Sequence, residues 1–564
     1  MKNFNRRKFF IFTFLIGTCI PMSVLFTNCS QGAFEAAVAL GDPLLEHAWH
    51  IKNTGQKAFA TNGGTAGVDL NIAKTWGAGI TGRGVKVLIS DDGVEDSHQD
   101  LTGNYLYGTV SRDYSKAYPY LYNTSEPKTA DDNHGTAVAG LVAAVADNGF
   151  GSKGVAYGAS IVSANFLSDG VTATETTLLD QASGNIDVFN MSWGSKQNTV
   201  SVPLAVFQNQ LRSGALTLRG GKGAIYVKAA GNFYYVTCAG TSVDCLGNAN
   251  FDGDNSSPFL ILVGALNAKG EAASYSSPGS NVWISSFGGE FGDTDPAMVT
   301  TDRSGCNYGF ALSNSSGPKF ERGANGNIGC SYSVTFNGTS SAAPVLSGVV
   351  ALLLEANPKL TWRDVKYILA KTAVQISPDA TALYTHPLGT PIPVVIYEYP
   401  WLTNSAGFKF HNWFGFGRVD VDAAVAYAKK YTSPFGTFIE TEFDDNVRAV
   451  TRAIPDNSGP GVTDSMTVAS SVRIESVQLR LTVSHADISQ IAVELTSPSG
   501  MKSYLVNMNN SLTNLANYTD NVFLSNAFYQ ESSAGVWTIK LIDAKAGTTG
   551  NLVRWSLRFT GSAN

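Results

Sequence analysis

Between residues 84 and 371 the chain repeats one pattern: a run of five to seven mostly apolar residues, a loop, then a stretch able to form a helix. The runs at 85–90, 159–164, 188–192 and 224–230 hold too few polar positions for a strand with one wet face. Strands buried on both faces need helices on both sides, so the pattern predicts a parallel α/β sheet whose ligands sit beyond the carboxyl ends of its strands. After a helix expected over 421–431 the period changes. Val477, Leu479, Leu481 and Val483 alternate with polar residues, as do Ile491, Val493 and Leu495, then Trp537, Ile539 and Leu541, and last Val553, Trp555, Leu557 and Phe559. Alternation of period two between turns predicts a β-sandwich.

A chain of 564 residues is long enough for several domains and a large core. Hydrophobic residues at 44% against 15% charged exclude a disordered chain, and 57 glycines indicate many tight loops. The net charge of −6 comes with no basic run, which argues against a nucleic-acid partner.

Lys2, Arg6, Arg7 and Lys8 precede an apolar run from Phe9 to Ile20, the pattern of an export signal over residues 1–28. Its removal takes the net charge from −6 to −10. Cys29 follows Leu25-Phe26-Thr27-Asn28, a loose lipobox, so lipidation at Cys29 and simple secretion both stand as expectations. Any membrane contact would run through that lipid anchor. In an exported chain the four remaining cysteines predict two disulfides. Of the three pairings, Cys238 with Cys245 and Cys306 with Cys330 each bracket a loop rich in Gly, Ser and Asn, and a zinc site is the rival.

Three segments bring an acid, an imidazole and a hydroxyl to strand or helix ends. Asp91 closes the 85–90 strand, His134 opens a helix of small residues expected over 137–146, and Ser340 opens a helix apolar on all faces at 345–354. A serine hydroxyl attacks only when an imidazole takes its proton, and the imidazole needs a carboxylate to fix its tautomer and stabilise its cation. Asn232, just beyond the 224–230 strand, and the Ser340 backbone N–H could donate to a developing oxyanion. Each residue alone has a bland reading as a turn, a structural histidine or a loop. Their joint order and context point to nucleophilic catalysis.

With these motifs, Ser90-Asp91-Asp92-Gly93, His134-Gly135-Thr136, Ser192-Trp193-Gly194, Ala230-Gly231-Asn232 and Gly338-Thr339-Ser340-Ser341-Ala342-Ala343-Pro344, the chain resembles the subtilisin-like serine proteases. The stretch from Leu353 to Asp364, with Glu355-Ala356-Asn357-Pro358, resembles the kexin and furin branch in particular. The resemblance implies a signal peptide at 1–28, a linker at 29–41, a subtilisin-like peptidase domain at 42–432 and a jelly-roll-like P domain at 437–564. It implies Asp91, His134 and Ser340 as the triad, Asn232 as oxyanion donor, and Ser192-Trp193-Gly194 as the edge that pairs with substrate backbone. It further implies Asp92 and Asp131 at S2, Asp252 at the base of S1 and Glu175 near S4, acids suited to Arg and Lys side chains. A Ca²⁺ site would use the side chains of Asp42, Asp100 and Asn148 with carbonyls near Val145, Phe150 and Ser152.

The chain departs from that family in three places. Acids of a second calcium site stand here as Gln197 and Ser277, a third near Asp113 lacks most of its acids, and only residues 30–41 lie between Cys29 and Asp42, where an inhibitory prosegment is expected. Folding unaided, with a separate chaperone or with help from the P domain are the three readings. The function expected is an exported, calcium-dependent endopeptidase acting on proteins or peptides, cleaving after Arg or Lys with a basic P2 favoured. An esterase using the same triad and an inactive adhesin binding through the sandwich are the rivals.

Overall fold

The computed structural model describes residues 41–237, 244–314, 317–378 and 395–563. The expected signal segment, Cys29 and Cys238 lie outside them. Strands β1 (Lys86–Ser90), β2 (Ser111–Arg112) and β3 (Leu121–Tyr122), helix α1 (His134–Ala143), then β4 (Ser160–Ala164), β5 (Val188–Met191), β6 (Ile225–Ala229), β7 (Leu260–Leu266) and β8 (Ile284–Phe287) build the first unit. The sheet runs β8-β7-β6-β5-β1-β4-β2-β3, parallel throughout except for the antiparallel β2/β3 edge pair. The four predicted strands are the central four. Their residues are almost all buried, as expected for strands covered on both faces.

Two helices lie close on this sheet. In α1, a Cβ on Gly140 would come within 2.2 Å of Thr301 Oγ1, so only glycine lets the helix approach the strand Met298–Thr301 this closely. Thr300 and Thr301 use that proximity to donate their hydroxyls to Ala137 O and Thr136 O at 2.6 and 2.7 Å. Helix α2 (Thr339–Ala356) starts earlier than its apolar run predicts. It is long and apolar enough to cross a membrane, but it is the buried core helix, packed on α1 and on β5, β6, β7 and β8. The predicted 421–431 helix is shorter, Val421–Ala428.

The C-terminal region folds into two antiparallel sheets. One contains Phe438–Glu440, Gly550–Ala563, Val472–His485 and Tyr518–Ser525, with Val447–Ile454 also on Gly550–Ala563, and the other contains Val462–Val468, Gly535–Asp543, Ile491–Thr496 and Lys502–Val506. The alternation places nearly every predicted residue inward, with Val477, Leu479, Leu481, Val483, Trp537, Ile539 and Leu541 fully buried. Val553 is the exception. The register shifts so that Arg554 faces Thr482 and Leu552 faces Val483, which turns Leu552 inward and leaves Val553 half-buried. An extra residue in one strand breaks a period-two pattern in this way.

The sandwich is tied to the α/β unit by charge and by backbone. Helix α3 (Trp362–Thr372) carries Arg363, whose guanidinium Nε donates to both carboxylate oxygens of Glu475 at 3.0 and 2.9 Å while Nη1 donates to Gly436 O at 2.7 Å. Both side chains are buried. The loop around residues 248–256 is held from the other side. Asn250 Nδ2 donates to Leu505 O and Leu524 O, Leu524 N donates to Asn250 Oδ1, and Gln478 Nε2 donates to Ser256 O. Removing one partner of a buried ion pair strands the other, so Glu475→Ala should cost about 3–5 kcal/mol of stability in chemical denaturation, and an unchanged midpoint would contradict this account of the interface.

Candidate active site

The first functional side chain follows from the end of β1. Asp91 leaves the strand with its N–H donated to Ala164 O, and its carboxylate is fully buried. His134 is the first residue of α1, and its Nδ1 lies 2.9 and 3.0 Å from the two oxygens of Asp91. The neighbouring Asp92 accepts the N–H groups of His134 and Gly135 at 2.9 and 2.7 Å, so it closes the amino end of α1 and fixes where the imidazole stands. Burial alone would lower the His134 pKa, but the Asp91 carboxylate and its hydrogen bond outweigh it and raise it to about 9. Burial, with the Asp91 charge beside it, pushes Asp92 up to about 7. Phe336 packs edge-on against the His134 ring.

Ser340 is the second residue of α2, and Pro344 explains how it is held. A proline has no N–H for the carbonyl four residues back, so Ser340 O is left without that helical bond. Ser192 Oγ fills the gap by donating to Ser340 O at 2.9 Å, and Ser340 Oγ donates to Ser192 O at 3.2 Å. These reciprocal bonds join the N-terminal turn of α2 to the carboxyl end of β5. Asn232 is held by the residue before the serine: its Oδ1 accepts both the N–H and the hydroxyl of Thr339 at 2.8 Å. With the oxygen so engaged, Nδ2 is the end left to donate. Neither Thr339 nor Pro344 was singled out by the sequence reading, although both sit inside the Gly338 to Pro344 motif.

The expected substrate-facing residues divide into two sets. Ser192, Trp193 and Gly194 continue from β5 beside Ser340, with Gly194 exposed and the Trp193 ring packed toward Phe166 and Phe207. Asp252 lies beneath them: its Oδ2 accepts from Ser195 N at 3.0 Å and pairs with Lys228 Nζ at 3.0 Å. Lys228 is a partner that sequence reasoning missed, although a lysine inside the apolar run of β6 signals a buried counter-charge. Asp131 and Glu175 stand exposed, and among the described residues neither is in an ion pair. Asp92 is committed to the α1 amides.

Of the residues expected to hold calcium, Asp42, Asp100 and Asn148 lie together, with the Lys153 ammonium 3.7 Å from Asp42. Asp42 accepts from Asp147 N and Asn148 N at 3.0 and 3.1 Å, and Asp100 Oδ1 accepts from Asn148 Nδ2 at 2.9 Å. Asp100 Oδ2 is buried without a hydrogen-bond partner, and so is the Ser152 hydroxyl. Burial, reinforced by the Asp42 charge, lifts Asp100 to about 7. Val145 donates its N–H to Asp100 O at 2.8 Å, while Phe150 is exposed at the rim. An orphaned carboxylate oxygen beside a second carboxylate fits a hard cation. Elsewhere the charges are already balanced or absent. Gln197 Nε2 donates to Ala230 O and Ser277 Oγ accepts from Phe233 N, while Asp113 pairs with Lys128 at 2.8 Å.

Cys306 and Cys330 form a disulfide, as predicted. The other expected pairing lies outside the described residues, because Cys238 does.

Residues 82–417 match the family described as the subtilase family, and residues 474–559 match the proprotein convertase P-domain. An extracellular serine protease of Aeromonas sobria is 32% identical over 590 residues, covering 95% of this chain and 93% of its own. Neuroendocrine convertase 2 of Sus scrofa is 29% identical, covering 94% of this chain and 75% of its own. The crystal structure of the Aeromonas sobria serine protease in complex with its chaperone superposes with a TM-score of 0.85 at 30% identity, over 93% of this chain and 96% of that one. Paired sheets of this topology, the residues at their ends and these likenesses together place the chain in the subtilase family of serine proteases, with the P domain of the proprotein convertases behind its catalytic unit.

Proposed function

We propose that the protein is an exported, calcium-dependent serine endopeptidase that works through Asp91, His134 and Ser340. The observation that supports this most strongly is the His134 imidazole held on the buried Asp91 carboxylate at 2.9 Å at the carboxyl end of β1, while Ser340 bonds the carboxyl end of the adjacent strand β5. In this reading Ser340 Oγ leaves Ser192 O when substrate binds, passes its proton to His134 Nε2 and attacks the scissile carbonyl. Asn232 Nδ2 and the Ser340 N–H donate to the oxyanion, the protonated His134 releases the amine, and water then hydrolyses the acyl-enzyme by the reverse proton path. The Asp91 carboxylate stabilises the imidazolium.

The peptidase domain is taken as 42–432 and the P domain as 437–564. Calcium would be held by Asp42, Asp100 and Asn148 with the carbonyls of Val145, Phe150 and Ser152. There it would add to the positive charge that Lys153 already brings to Asp42. The basic, apolar start of the chain and the extracellular Aeromonas relative support export, with Cys29 as the candidate lipid anchor. That relative's complex with a chaperone supports a separate folding chaperone as a partner. For selectivity, cleavage after Arg or Lys with a basic P2 favoured rests on the resemblance of Asp92, Asp131, Asp252 and Glu175 to the family's substrate-facing acids, of which Asp92 holds the α1 amides and Asp252 is paired with Lys228.

Ser340→Ala should lower casein or peptide turnover by roughly 10⁶-fold, and Asn232→Ala by about 10² to 10³-fold. Both are magnitudes established for subtilisin, a member of the same family. Hydrolysis by purified Ser340→Ala at the wild-type rate would rule the mechanism out.

His134 must be neutral to act as a base, and its raised pKa means that it is protonated at neutral pH. kcat/KM should therefore climb with pH toward a midpoint near 9, and Asp92→Asn should move that limb to lower pH, because the Asp92 charge helps to raise the pKa. The sign for stability is opposite. A folded-state pKa above the ordinary 6.5 favours the fold fully below that value, and this contribution is lost as pH rises through about 9. A pH-rate profile already flat at pH 6 would contradict the assignment.

Chelation should lower the melting temperature, since a ligand bound only by the folded state contributes about 2.7 kcal/mol at a hundredfold excess over its dissociation constant. Asp100→Asn should abolish that response. Identical melting curves with and without chelator for the wild type would argue against the site.

A further inference from the structure

Lys228 is the one charged residue in β6, Ile225-Tyr226-Val227-Lys228-Ala229, and it is fully buried. Its ammonium donates to Asp252 Oδ2 at 3.0 Å and Asn255 Oδ1 at 2.6 Å and lies over the Trp193 ring, 5.2 Å from its centre. The position of this pair follows from Gly194. A Cβ there would sit 3.0 Å from Asp252 Oδ2 and 3.2 Å from Lys228 Nζ. The two charged heads therefore lie directly against the segment that runs from Ser192, in contact with Ser340, through Gly194. On the other side, β6 leads from Lys228 through Ala230 and Gly231 to Asn232. The ion pair thus lies under the slot between the two segments that flank the nucleophile.

Both oxygens of Asp252 are already engaged. Oδ2 takes Lys228 and Ser195 N, and Oδ1 takes Asp254 N at 3.2 Å. A guanidinium recognised by a carboxylate needs two free, parallel acceptors and an uncompensated negative charge. Here an arriving cation would meet a carboxylate whose charge is balanced, with a second cation beside it.

We infer that Lys228 is a specificity-determining residue: its ammonium occupies the Asp252 carboxylate, holds the base of S1 near neutral, and keeps the preference for a charged P1 residue over a neutral one of the same shape shallow. This rests on the proposed protease reading and deepens it, since it names the group that sets how strongly the S1 site reads charge. With Lys228 in place, long neutral hydrogen-bonding side chains are accepted at P1 beside Arg and Lys. Without it, Asp252 becomes a free carboxylate and the site discriminates sharply for cations. Without Asp252, Lys228 keeps Asn255 Oδ1 but loses its carboxylate partner, and the site turns toward acidic side chains.

The test uses peptides identical except at P1, which carries Arg, citrulline, Gln or Glu. kcat/KM is measured for the full-length wild type, Lys228→Met and Asp252→Asn, each normalised to active sites counted with a fluorophosphonate. The wild type should favour Arg over citrulline by no more than about tenfold, and Lys228→Met should widen that ratio by a further factor of about ten or more. Asp252→Asn should raise the Glu to Gln ratio by a similar factor. An active Lys228→Met enzyme with the wild-type Arg to citrulline ratio would overturn the inference. If Lys228→Met does not fold, an unchanged Glu to Gln ratio in Asp252→Asn overturns it instead. A wild type that neither hydrolyses any peptide nor takes up the fluorophosphonate would defeat the protease reading itself, an outcome distinct from an active enzyme with unaltered ratios.

Discussion

Helix α2 has no face that tolerates water, and the site depends on where that forces it to lie. Thr339–Ala356 is buried along nearly its whole length against β5 to β8 and α1. Its amino end lies where the parallel strands end, in hydrogen-bond contact with Ser192 just beyond β5. Pro344 then frees the Ser340 carbonyl, and Ser192 takes it up. A packing constraint, applied to an all-apolar helix, in this way sets a hydroxyl beside the ends of β5 and β1, with Asn232 pinned by Thr339 one residue away. The imidazole arrives by a similar route, since the small residues of α1 allow that helix to sit close enough for His134 to meet Asp91.

The C-terminal sandwich bears on the same region from behind. Its backbone grips Asn250 and its Gln478 side chain grips Ser256, on either side of Asp252, while Glu475 neutralises the buried Arg363 of α3. The loop that carries Asp252 is thus shared between two structural units. Loss of the sandwich would strip hydrogen bonds from that loop as well as uncover apolar surface.

Much of this was legible in the sequence because it depends on local pattern. The four central strands, the order of Asp91, His134 and Ser340, and the inward residues of the sandwich all follow from periodicity and from short motifs with fixed chemistry. What escaped depends on partners distant in sequence. Val553 was expected inward, but a register shift opposite Val483 gave that place to Leu552, and a bulge has no signature in a period-two pattern. Asp252 was legible as an acid before a glycine, yet its partner Lys228 lies 24 residues away on a neighbouring strand. Thr339 was visible in its motif, but its hold on Asn232 appears only when two loops meet.

The central claim is that one hydroxyl in this chain is a nucleophile, made so by its neighbours. The most direct measurement is to react the intact protein with a fluorophosphonate and map the adduct by peptide mass spectrometry. The account predicts a single modification, on Ser340, lost when His134 is replaced by alanine while Ser192 and the other serines stay unmodified. Labelling that falls elsewhere, or that persists on Ser340 without His134, would contradict it.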